Sequence, residues 1–68
     1  PQPEPDVVIA ECREIILQGL STEPTEIDEL VRWCNSSTAT VQAAILELEL
    51  AGTLLRHHGN RVSKLVEF

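Results

Sequence analysis

The sequence predicts a mainly α domain with a β-hairpin, in the order of a winged helix-turn-helix: three helices, then a two-stranded wing. Three observations predict it. Three successive segments repeat apolar residues at helical spacing. The link between the second and third segments, Asn35-Ser36-Ser37, is short and polar. The last segment changes period, is rich in β-branched and apolar residues, and surrounds a Gly59-Asn60 dipeptide, a hairpin signal.

The first helix is expected over residues 7–20. Ile9, Cys12, Ile16 and Leu20 form its apolar stripe, and Val8 and Ile15 widen it. Asp6 is placed to cap it. Ser21-Thr22-Glu23-Pro24 breaks it. Thr25 or Glu26 opens the second helix, with Asp28 and Glu29 in the first turn, where the helix dipole favours anions. Its stripe is Ile27, Leu30, Val31 and Cys34, the i, i+3, i+4, i+7 pattern of one-sided burial. Ser37 is a good N-cap for the third helix, which runs to about Ala51. Val41, Ala44, Ile45 and Leu48 make its core stripe, and Gly52 is the expected residue just past its end. Strands are expected near 53–58 and 61–66. The hairpin closes either at Gly59-Asn60 or through a three-residue loop, His58-Gly59-Asn60.

Ahead of the first helix, Pro1-Gln2-Pro3-Glu4-Pro5 alternates proline with polar residues. Each proline fixes its own φ and drives the preceding residue from the α region. Residues 1–6 therefore read as the end of a linker, and 7–68 as the domain. The lack of methionine points the same way, to a segment of a longer protein.

With 68 residues, the chain sustains one small core with little room for a substrate pocket. Hydrophobic residues make up 43%, enough for a core and too few for a membrane protein. Neither a membrane span nor a signal peptide is visible. Two cysteines, Cys12 and Cys34, both fall on apolar stripes. They read as reduced core residues of a cytoplasmic protein.

No arrangement for chemistry emerges. Zinc sites pair their ligands locally, whereas Cys12 and Cys34 are far apart and His57 and His58 are adjacent, expected on opposite faces of a strand. The three glycines are scattered, so no phosphate-cradling loop exists. The expectation is a non-enzymatic domain without metal or cofactor. Trp33, with no second aromatic nearby, reads as a half-buried packing residue.

Charge argues against DNA reading by the third helix. A reading helix needs Arg, Lys, Asn or Gln toward base edges and phosphates. Residues 37–51 contain no Lys or Arg, and they contain Glu47 and Glu49. At about 100° per residue, Ala39, Ala43, Leu46 and Leu50 gather opposite the core stripe. Two readings stand: this strip is covered by the wing or the first helix, or it is exposed and pairs with another protein or a second copy of the domain. Residues 1–52 hold ten acids and two bases, whereas residues 53–68 hold three bases and one acid. Arg56, His57, His58, Arg61 and Lys64 thus make the wing the only basic part. Its charges serve either to discourage edge-to-edge pairing or, weakly, to touch phosphates. A DNA-binding domain of a transcription regulator, contacting DNA through this wing, is the alternative reading.

The residues Ile27-Asp28-Glu29-Leu30-Val31, then Val41 and Leu46-Glu47-Leu48-Glu49-Leu50-Ala51-Gly52, resemble the C-terminal winged-helix domain of the DprA (Smf) family. These are bacterial DNA-processing proteins of natural transformation. The resemblance covers nearly the whole chain after the linker. It implies a Rossmann-like upstream domain that binds single-stranded DNA, protects it and helps to load the RecA recombinase. It also implies an accessory role for the domain in hand. Trp33 stands where the family usually has a small residue, and His57 and His58 replace its more typical wing residues.

Overall fold

A computed structural model of the chain describes residues 5–65, with side chains from Val7 onward. Its elements are α1 (Pro5–Gly19), β1 (Thr25–Glu26), α2 (Ile27–Cys34), α3 (Thr38–Leu50), β2 (Leu54–His57) and β3 (Arg61–Lys64). Three helices and a small antiparallel sheet make a winged helix-turn-helix, as the residue pattern predicts. Pro1–Glu4 and the last three residues lie outside the described part, and so does most of the proposed linker.

α1 begins at Pro5, two residues before the expected start. Proline suits the first helical position, because its missing N–H has no partner to lose there. Asp6 consequently lies inside the first turn and is not the N-cap. Cys12, Ile16 and Leu20 are buried along the inner side.

Thr25 and Glu26 do not open a helix. They form a third strand, pairing Thr25 with Val62 and Glu26 with Arg61. The sheet order is β1-β3-β2, so the expected two-stranded wing gains a strand and β3 becomes central. α2 then starts at Ile27, with Glu26 extended at its N-cap but making no side-chain capping bond. The Ile27 N–H donates 2.8 Å to the Asn60 carbonyl and the Lys64 N–H 2.8 Å to that of Ser21, so the loop after α1 and the start of α2 both hold the hairpin.

α2 ends on Asn35 in the left-handed region, φ 51°, its N–H donating to the carbonyls of Val31 and Arg32. Ser37 caps α3, accepting from the Thr40 N–H at 3.2 Å. At the other end Gly52 takes φ 80°, which a Cβ would oppose. The N–H of Thr53 donates to Leu48 and that of Gly52 to Glu49, the paired bonds of a Schellman motif. Both caps lie where the sequence put them.

β2 and β3 are shorter than expected, running in register from Leu54 opposite Lys64 to His57 opposite Arg61. The turn is the three-residue His58-Gly59-Asn60 loop, with Gly59 and Asn60 both at positive φ. His58 is therefore a turn residue, not a strand residue facing away from His57.

One core joins all of this. Cys12, Ile16, Ile27, Leu30, Val41, Ala44, Ile45, Leu48, Leu54 and Val62 lie in a single buried cluster. Val31, expected in it, is only half-buried and packs on its edge together with Ile9 and Leu17. Cys12 and Cys34 are buried and free. The Cys34 thiol lies 3.9 Å from the Cys12 carbonyl, in donor geometry, and burial pushes its pKa up to about 12. Trp33 is 37% exposed and lies on Gly19, where an added Cβ would come within 2.9 Å of the ring. No described helix is long and apolar enough to cross a membrane.

Candidate functional site

α3 is apolar on two opposite sides. Its inner side places Val41, Ala44, Ile45 and Leu48 in the core. Its outer side brings Ala39, Ala43, Leu46 and Leu50 onto one strip. Leu50 is 80% exposed and Leu46 54%, while Ala39 is exposed and Ala43 half-buried. Neither the wing nor α1 covers the two leucines. A helix of 13 residues is about 20 Å long, so the strip runs nearly the length of the element.

The reason the wing leaves this strip open lies in how it meets α3. β2 packs beside the helix and sends Arg56 to its flank. The Arg56 guanidinium donates to Glu49 at 2.9 Å and to the Gln42 side-chain oxygen at 3.5 Å. The hydrogen bond with Glu49, aided by its charge, raises the Arg56 pKa above its ordinary value. On the other flank Glu47 pairs with Arg13 of α1. The strip is thus bordered on each side by an acid already matched to a base. Such partly exposed pairs add little stability, about 0–1 kcal/mol each. Their local effect is to cancel the two negative charges of α3 with bases from α1 and β2.

The candidate wing residues are not brought together as one basic surface. Arg56 is turned to α3. The His57 Nε2 is 2.8 Å from the Ser63 hydroxyl, a bond on the face of the sheet that also carries Leu55, 48% exposed. His58 and Arg61 are exposed at the tip, and Lys64 is half-buried opposite Leu54. The sequence shows these five as a cluster because they are neighbours in the chain. The sheet separates them by alternating side chains across two faces.

Arg13, Gln42, Glu47 and Glu49 were not marked as parts of the site by sequence reasoning. Glu47 and Glu49 were visible as acids, but their partners lie on other elements, 34 and 7 residues away. No local spacing announces such pairs. Among the described residues, no three of His, Cys, Asp or Glu converge to hold a metal ion, and no pocket opens.

Residues 1–60 match the family model described as the DprA winged helix domain. No curated protein matches the chain.

Proposed function

Because the chain belongs to the DprA winged-helix family, we propose that it acts through protein contacts made by the outer strip of α3, Ala39, Ala43, Leu46 and Leu50. It is a non-catalytic accessory module of a DNA-processing protein in natural transformation and recombination. The contact is with another protein or a second copy of the domain. DNA is left mainly to the upstream Rossmann-like domain that the family resemblance implies, and the setting is the cytoplasm, where Cys12 and Cys34 stay reduced.

The observation that carries this reading is the character of α3. A helix that enters the major groove needs donors and acceptors on its outward side. This one presents two exposed leucines and no base. Large exposed apolar side chains gathered on one side are what protein interfaces are made from. The wing adds little for DNA, since Arg56 is held by Glu49 and the chain as a whole carries −6, which repels phosphates.

The test is a titration of isotope-labelled chain with duplex DNA, following amide shifts. Binding weaker than about 10 μM at physiological salt is expected, with residues 38–50 unmoved. Tight binding that maps to 38–50 would overturn the reading. Salt-sensitive shifts confined to 56–64 would instead place DNA contact in the wing and support the regulator alternative.

A further inference from the structure

We infer that the outer strip of α3 is a self-complementary contact, in which two copies of this domain pack their third helices antiparallel about a twofold axis. The inference rests on the reading of that strip as a protein contact and names its occupant.

The spacing carries it. Ala39, Ala43, Leu46 and Leu50 are separated by four, three and four positions. That spacing reads the same from either end, while the sizes reverse: two small, then two large. A twofold axis running between the two helices, at the level midway between residues 44 and 45, therefore sets Leu50 of one copy level with Ala39 of the other, and Leu46 level with Ala43. Every large side chain meets a small one, all four times. Alternation of large and small across facing positions is what lets two helices interdigitate. Contacts of this kind are isologous, the commonest symmetry among oligomers. Parallel packing in register would set leucine on leucine and alanine on alanine, leaving a gap at one end.

The flanks agree. Gln42 and Glu49 share the wing side, as their common partner Arg56 shows. Thr40 and Glu47 share the α1 side at the same spacing of seven. Across an antiparallel twofold each flank meets its own copy. Glu49 then comes close to level with Gln42, and Glu47 with Thr40, so each acid faces a neutral side chain. The two Glu49 residues stand about 13 Å apart along the axis, beyond the Debye length of about 8 Å at physiological salt. The two Glu47 residues are closer, about 7–8 Å along the axis, but each is neutralised by its own Arg13.

Charge selects the occupant. Two chains of −6 repel each other unless they meet where the charge is already cancelled. Among the described residues, the exposed acids that make no salt bridge are Glu11, Glu14, Glu23, Glu26 and Asp28. All lie on α1, in the loop after it, on β1 or at the start of α2. A basic partner would be drawn there. α3 is the face on which a second acidic copy can dock.

The test is sedimentation equilibrium of the 68-residue chain from about 10 μM to about 1 mM, a span that covers weak association. The weight-average mass should climb from one chain toward two. Ala39→Leu sets leucine against leucine and should weaken association at least tenfold. The exchanged variant Ala39→Leu with Leu50→Ala keeps each large side chain opposite a small one and should restore it. Both positions are exposed, so circular dichroism melts of all three, taken where the chain is monomeric, should agree within about 5 °C. Failure of the exchange to rescue would overturn the antiparallel register. A single-chain mass at every concentration would overturn self-pairing, while leaving protein contact through α3 standing. A dimer indifferent to these changes would overturn both.

Discussion

Replacing one leucine at a time separates the two sides of the molecule. Leu30 is fully buried and Leu50 is 80% exposed, so Leu→Ala is the same chemical change in opposite surroundings. At Leu30 the substitution removes buried methyl groups and leaves a cavity in the core, at a cost of about 2–5 kcal/mol. For 68 residues the whole stability is about 3–10 kcal/mol. The entropy of unfolding is about 2.1 cal/mol/K per residue, or about 140 cal/mol/K here. The loss therefore lowers Tm by about 14–35 °C and leaves part of the population unfolded at room temperature. At Leu50 only about a fifth of the side chain leaves a protein environment. Full burial of leucine contributes about 1.5–3 kcal/mol, so the loss is about 0.3–0.6 kcal/mol, or about 2–4 °C. Thermal melts followed by far-ultraviolet circular dichroism, at a concentration where the chain is monomeric, read both. A shift under about 5 °C for Leu30→Ala would refute the place given to α2 in the core. A shift above about 10 °C for Leu50→Ala would refute the exposure of the α3 strip, and the functional reading with it.

Two further outcomes follow from the structure alone. The Cys34 pKa is raised by burial to about 12, so between the unfolded value and that figure the folded state holds a proton that the unfolded state releases. Its contribution is fully present below about pH 8.5–9 and is lost as pH rises toward 12, at up to about 1.4 kcal/mol per unit. Urea unfolding measured from pH 8 to 11 should show this decline, and Cys34→Ala should flatten it; an equal slope in the variant would refute the assignment. Gly19→Ala brings a Cβ to within 2.9 Å of the Trp33 ring, so the ring must move. Its fluorescence should shift to the red as it meets more water, and an unshifted spectrum would show that Gly19 is not needed for that contact.

What the sequence determined by itself is whatever is settled within a turn or two of chain. The three apolar stripes marked which side of each helix faces inward, because helical period is a property of the segment. Ser37 and Gly52 marked the ends of α3, because a cap binds backbone groups three to five residues away. The absence of a base on α3 was equally visible, and so were the four outer residues of its strip. Only the tertiary structure decided what depends on residues far apart in the chain. β1 exists because Thr25 and Glu26 meet β3; two residues carry no strand pattern of their own, and the same pair read locally as a helix start. The wing's bases were a cluster in sequence and are dispersed in space, Arg56 being taken up by Glu49. Periodicity placed Leu46 and Leu50 opposite the core, but it cannot say whether another element lies over them. That depends on where the hairpin packs, and it packs against the flank of α3, leaving both leucines in water.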